Sequence, residues 1–450
     1  MNKKKLFHTR LIALFISYFM VKIVTLIYLI LQDTIVEPDE STFSEVVCLF
    51  DETSLIPQQI SYYLRWGPVF LLSGEFFRFI GFTCLNALRF SSFVFSCLSA
   101  GIIFYLYLKI SAGIELSKKQ QLYTLISIAF FLFYPSRFLW TSLGLRESII
   151  EFNVLLILLI VFKLMHHHNK ITYVFILLGS LIALNLTRQF LYFALIMAIV
   201  CSIMFFPKNR ALIGGTILFI VPINFVMPSI IMTTYTSYYL AQKNDEIESI
   251  RNQIIQLDKL SGNIPSKKQQ LEKKLNSVKL LRDKAVLSHS DSKSIYRDIP
   301  EPEIVRYQRS VDARSRIPTK NCLQRSEGVL QWFWCNLKYA PIGLYSVILR
   351  PNPLHDWYSI TTQIASLENI VFLLSFIFIL VITVKSMRNG RFQWFTTTLL
   401  FFIYVCISGM AMYEGNVGTS MRHRLILISS FSLVFLSYIF SSKFRMRSLK

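Results

Sequence analysis

Apolar residues in this chain come in long runs separated by short polar stretches. The runs lie at roughly 11–31, 84–109, 121–140, 143–164, 171–187, 189–206, 211–231, 368–385, 394–412 and 424–441. Each is near the ~20 residues a helix needs to cross the hydrocarbon of a bilayer. The pattern predicts an all-α, polytopic helical membrane protein with about ten transmembrane helices. A transmembrane barrel does not fit, because its strands would alternate polar and apolar positions.

Two stretches break the pattern. Residues 32–83 begin acidic, with Asp33, Glu37, Asp39, Glu40, Glu45, Asp51 and Glu52. The second half, Trp66 to Phe82, is apolar but carries Glu75 and Arg78 one helical turn apart, which predicts a helix lying on the membrane surface. In residues 232–367, Ile247, Ile250, Ile254 and Leu257 share one helical face, and Leu271, Leu275 and Val278 share another. Ser261-Gly262-Asn263-Ile264-Pro265 breaks the periodicity between them, and Ser266 with Gln269 fits a capping box. An antiparallel helical hairpin is expected there, followed by a return to the interface at Trp332, Phe333 and Trp334. The chain thus divides into an N-terminal membrane module over 1–231, an extracytoplasmic insertion over 232–367 and a C-terminal membrane module over 368–450.

Composition agrees. Hydrophobic residues are 53% and charged residues 16%, too little charge for a set of soluble domains and too apolar for a disordered chain. The formal net charge is +21, from 47 Lys and Arg against 26 Asp and Glu. Nucleic acid is not the implied partner, because the positive charge follows the loops. Lys3, Lys4, Lys5 and Arg10 precede the first run. Lys109, Lys118 and Lys119, then Lys163 and Lys170, then Lys208 and Arg210, then Lys385, Arg388 and Arg391 fill alternate loops, and Lys443, Arg445, Arg447 and Lys450 end the chain. This is the bias of cytoplasmic loops, so both termini are expected in the cytoplasm and the chain in the inner, cytoplasmic membrane. The seven cysteines show no metal-ligand spacing. Cys322 and Cys335 are close enough in sequence for a disulfide in an oxidising compartment.

A second set of ionisable residues sits at the opposite, outer ends of the spans. It comprises Arg65, Arg137, Arg146, Glu147, Arg188, Arg350, His355, Glu368, Arg422, His423 and Arg424, with Asn416 beside the last group. Positive charge on outer loops opposes the insertion bias, so its presence asks for a reason. An anionic ligand at the outer leaflet is one, since guanidinium groups fork onto phosphate oxygens. Pairing with local acids, or capping of helix ends, is the other. Glu37-Pro38-Asp39-Glu40 follows the first span closely, and a carboxylate there is placed to act as a general base or to hold a divalent metal beside a diphosphate. His166-His167-His168 lies in a short basic turn without acidic or cysteine partners and is read as a polar turn, and Lys22 inside the first run is left unassigned.

The outer-loop acids, Arg65-Trp66-Gly67-Pro68, Leu85-Asn86-Ala87-Leu88-Arg89, Tyr134-Pro135-Ser136-Arg137 and Leu145-Arg146-Glu147-Ser148 together resemble the opening of GT-C-type membrane glycosyltransferases. Leu349-Arg350-Pro351-Asn352-Pro353, Leu367-Glu368-Asn369 and the segment from Asn416 to Arg424 are similar to membrane proteins of bacterial surface-polysaccharide gene clusters. The resemblance covers most of the chain apart from the hairpin. It implies transfer of a sugar from a polyprenyl-(pyro)phosphate carrier to a glycan acceptor on the extracytoplasmic face. Asp39 or Glu40 would be the catalytic carboxylate, and no nucleotide cofactor is implied. Arg65, Arg137, Arg146, Arg188, Arg350, Arg422 and Arg424 would meet the lipid phosphate, with Glu147, His355, Glu368 and Asn416 as further polar site residues. Two other readings stand beside it. One is a polysaccharide polymerase, for which the insertion supplies Arg306, Arg309, Arg314, Arg316 and Arg325. The other is a lipid-glycan flippase or export component without chemistry, although the halves and broken mid-membrane helices common in transporters are not visible.

Overall fold

A computed structural model of the chain describes residues 3–36, 38–48, 68–111, 116–166, 171–205, 240–241, 243–256, 265–292, 329–352, 360–388, 394–413 and 417–444. Of these, 92% are helical and none lies in a strand. The N-terminal part holds α1 (Lys3–Gln32), α2 (Pro38–Cys48), α3 (Pro68–Phe79), α4 (Cys84–Ser111), α5 (Lys118–Phe133) and α6 (Pro135–Trp140). It continues through α7 (Glu147–His166), α8 (Ile171–Thr187) and α9 (Gln189–Phe205). Helix α10 (Pro265–Ser292) lies in the insertion, and α11 (Val329–Leu349), α12 (Ile360–Arg388), α13 (Trp394–Tyr413) and α14 (Val417–Phe444) follow.

Among the described residues, five helices are long and apolar enough to cross a membrane: Leu6–Gln32, Cys84–Lys109, Gln363–Arg388, Trp394–Ala411 and Arg422–Phe440. Ile171–Thr187, Phe190–Ser202 and Ala340–Leu349 are shorter apolar helices. The expectation of about ten spans is therefore matched for half of them. The expected run over 121–140 is interrupted where α5 ends at Tyr134 and α6 restarts at Pro135. Proline lacks the N–H that would continue the helix but suits the first position of a new one. The run expected from 143 starts only at Glu147, because residues 141–146 form a turn. The run at 211–231 lies outside the described residues.

The spans play two packing roles. Helix α1 buries one stripe, Phe7, Leu11, Phe15, Tyr18, Lys22, Leu26 and Leu29, at helical spacing. Its other face leaves Ile12, Ile16, Met20, Val24, Ile27 and Leu31 exposed. Only 28% of the apolar window of α1 and 22% of that of α12 is buried, against 72% for α13 and 78% for α14. Helices α1 and α12 are peripheral, with apolar outward faces that suit lipid, and α13 and α14 are central. Small residues allow the central approach. A Cβ on Gly343 of α11 would run into the backbone of Ala411 on α13, and one on Gly409 would meet the ring of Phe190 on α9.

A smaller core sits at one end of the bundle. Leu29, Phe43, Val47, Phe70, Leu71, Leu88, Leu143, Leu145 and Ile149 join the end of α1, α2, α3, the start of α4, the 141–146 turn and the start of α7. A disulfide between Cys48 and Cys84, with Cα atoms 5.6 Å apart, ties α2 to α4. The Cys322–Cys335 pairing falls outside what is described, as do residues 257–264 and the five insertion arginines. In α3, Glu75 and Arg78 pair at 3.2 Å, as their spacing suggests. In the insertion, residues 243–256 and α10 pack together through Ile247, Ile250 and Val278, with Ile254, Leu271 and Leu275 against them. These are the two faces the periodicity selects, and α10 starts at Pro265 where the sequence breaks.

Candidate polar site at one end of the bundle

The chain runs up and down, so alternate helix ends meet. The end of α1, the starts of α2, α4, α7, α12 and α14, the α5–α6 break, the one-residue break at Arg188 between α8 and α9, and the end of α11 bring their polar side chains to the same end. These side chains sort into groups that differ in how fully they are hydrogen-bonded.

The first group centres on Glu40 and Arg89, both fully buried. Arg89 donates from Nε to Glu40 Oε1 at 3.1 Å and from Nη2 to Oε2 at 3.2 Å. Glu40 also accepts the Val36 N–H at 2.9 Å and the Gly144 N–H at 2.8 Å. Arg89 adds bonds to the carbonyls of Leu29 at 2.6 Å and Thr34 at 2.5 Å. One ion pair thus fastens the end of α1, the linker into α2, α4 and the 141–146 turn. Glu40, expected as a possible base, is enclosed and committed to structure. A glycine at 144 lets the turn come this close, since a Cβ there would lie 3.2 Å from Leu88 Cβ and 3.4 Å from Glu40 Oε1.

The second group lies deeper. Arg137 and Glu151 form a two-pronged pair, with Nε to Oε1 and Nη2 to Oε2 both at 2.8 Å. Ser429 of α14 donates to Glu151, and the guanidinium lies 3.8 Å from the centre of the Phe131 ring. Beside it Lys22, 1% exposed, donates to the Phe138 carbonyl at 3.0 Å, Thr141 Oγ1 at 2.8 Å and Ser142 Oγ at 2.7 Å. Burial of a lysine inside a span is tolerated because all three N–H bonds are filled. Arg137, expected at a lipid phosphate, is thus an interior strut. Lys22 pins α6 and the turn to α1.

The third group borders a small cleft lined by Tyr134, Ser136, Ala365, Glu368, Asn369, Arg424, Leu425 and Ile428. Glu368 accepts from the Ser136 N–H at 2.8 Å and from its hydroxyl, and Tyr134 Oη donates to the Glu368 carbonyl at 3.2 Å. Arg424 donates to Asn369 Oδ1 and to the Arg350 carbonyl. Both Glu368 and Arg424 are buried, so here too the expected site residues have protein partners.

The fourth group is different. Arg422 of α14 donates to Asp39 at the start of α2, and Arg422 Nε lies 3.9 Å from Glu147 Oε1. Arg188 Nη2 reaches the same Glu147 oxygen at 3.7 Å. The Arg422 guanidinium stacks 4.6 Å from the centre of the Trp140 ring. Side-chain exposure is 39% for Asp39, 17% for Arg422, 15% for Arg188 and 4% for Glu147. Neither Glu147 oxygen has a hydrogen-bond partner. Asp39 is thus the expected first-loop acid that keeps an open face, and the expected Arg188, Arg422 and Glu147 join it. Arg146 is half-buried in the turn just before Glu147, and Arg350 is half-buried at the end of α11. Arg65, His355 and Asn416 lie outside the described residues. Among the described residues no three His, Cys, Asp or Glu side chains converge as a metal site would require.

Three interior side chains have contacts that the sequence alone does not assign. Arg89 was visible only within a motif, Glu151 lies one turn after Glu147 in an apolar helix, and Lys22 sits on the buried stripe of α1. A charge in phase with a buried stripe was the available signal. Comparison with protein-family models, curated proteins and solved structures returned no match.

Proposed function

We propose that the chain is a GT-C-like membrane glycosyltransferase using a polyprenyl-(pyro)phosphate-linked sugar at the extracytoplasmic face. The observation that carries this reading is the meeting of Asp39 with Arg422, Arg188 and Glu147, contributed by residues far apart in sequence, at one end of the bundle. A partly exposed carboxylate bonded to one guanidinium, with a second guanidinium across Glu147, suits glycosyl transfer from a phosphate leaving group.

In that reaction Asp39 accepts the proton of the acceptor hydroxyl as its oxygen bonds to the anomeric carbon. The bond from that carbon to the phosphate oxygen breaks, and its electron pair leaves with the lipid phosphate. Arg422 and Arg188 balance the charge that grows on the leaving oxygens. Arg422 exchanges Asp39 for phosphate on donor binding, which frees the carboxylate for the acceptor. The outward faces of α1 and α12 fit a bilayer beside this end, where the lipid tail of the donor would lie. The Cys48–Cys84 disulfide at the same end supports an oxidising, extracytoplasmic exposure, with both termini in the cytoplasm.

The test is which intermediate accumulates in a strain lacking the chain. Finished lipid-linked sugars on the outer leaflet support a transferase. Their retention on the inner leaflet would instead identify a flippase and remove the chemistry from Asp39. Asp39→Asn should reproduce the outer-leaflet accumulation, with transfer falling by at least about a hundredfold.

A further inference from the structure

Glu147 is 4% exposed and neither carboxylate oxygen has a hydrogen-bond partner. Two guanidiniums stand at 3.7 and 3.9 Å, too far to hydrogen-bond and close enough to attract strongly. Buried carboxylates are ordinarily saturated, and Glu40 and Glu151 at the same end of the bundle are. A buried acid left in this condition costs stability unless the site serves something else.

We propose that Glu147 is an internal stand-in for an anionic ligand of the phosphate or diphosphate class. It adds negative charge beside Arg188 and Arg422, the latter also bonded to Asp39, while the site is empty, and it is displaced from them when the ligand arrives. This deepens the proposed function, resting on its assignment of the two arginines to phosphate. The loose 3.7 and 3.9 Å contacts matter here, because Glu147 is held only electrostatically and can be displaced without breaking a hydrogen bond of its own. The same acid fixes a sign. Its charge opposes the ligand, so removing that charge strengthens binding, whereas removing either guanidinium weakens it.

The experiment titrates the purified full-length chain with inorganic pyrophosphate and, separately, farnesyl phosphate. In Glu147→Gln both anions should bind about tenfold more tightly than in the parent, and in Arg188→Gln about tenfold more weakly. Unchanged or weaker binding in Glu147→Gln overturns the proposal. If that variant fails to accumulate, unchanged binding in Arg188→Gln overturns it instead. Tighter binding of farnesyl phosphate than of pyrophosphate assigns the site to a lipid headgroup, and the reverse order overturns that source. Tightening in Glu147→Gln together with undiminished glycan transfer in Asp39→Asn would keep the anion site and remove the transferase reading.

Discussion

Glu40 and Asp39 are neighbours in sequence at the start of one helix, yet they belong to opposite kinds of site. Glu40 meets Arg89 through two bonds and two backbone N–H groups and is sealed from solvent. Asp39 meets Arg422 from a side chain still 39% exposed. The same contrast recurs one layer away. Arg137 and Glu151 fill each other's hydrogen-bonding capacity, whereas Arg188 and Glu147 stand 3.7 Å apart. Residue type does not separate a saturated ion pair from a loosely held one at this end of the bundle. The count of satisfied polar atoms does. Saturated pairs join segments distant in sequence into one frame, and the frame holds the group of Asp39, Glu147, Arg188 and Arg422 in place.

The contrast breaks most visibly at the saturated pairs. Arg137→Ala leaves Glu151 charged, buried and short of its partner, which costs about 3–5 kcal/mol. The expected outcome is loss of folded chain from the membrane, read by detergent-solubilised yield and thermal melting. A variant that melts like the parent would show that the pair is not a strut. A smaller effect is expected at Gly144. Gly144→Ala places a methyl group against Leu88 and Glu40 and should cost about 1–3 kcal/mol. The turn would shift away from α2, so thermal stability and transfer should fall together. A fall in transfer alone would move the turn from the frame into the reactive cluster.

Much of the frame was legible in the sequence. Runs of apolar residues located the long helices, with α4 starting at Cys84 as its run does, and the spacing of Ile247, Ile250, Leu271, Leu275 and Val278 located the packed hairpin faces. The span count was less legible, because hydropathy continues through Tyr134-Pro135 and through the 141–146 turn, where the backbone does not. The arginines at this end of the bundle were legible as a set, since they recur at the ends of apolar runs. Their sorting was not. Whether Arg137 holds Glu151 or a ligand depends on where α14 places Ser429, and whether Glu40 is free depends on Gly144 N–H and Arg89. These are contacts between segments that the chain order does not bring together. The Cys48–Cys84 disulfide was likewise hidden by the sequence separation of 36 between its partners.

The central claim is that one acid of the Asp39-Glu40 dipeptide is chemical and the other structural. The most direct measurement pairs thermal melting with glycan transfer for Asp39→Asn and Glu40→Gln, each as the full chain in membranes. The account predicts that Asp39→Asn melts like the parent with transfer at least about a hundredfold lower, while Glu40→Gln melts at a distinctly lower temperature. A stable, active Asp39→Asn beside a stable, inactive Glu40→Gln would contradict it.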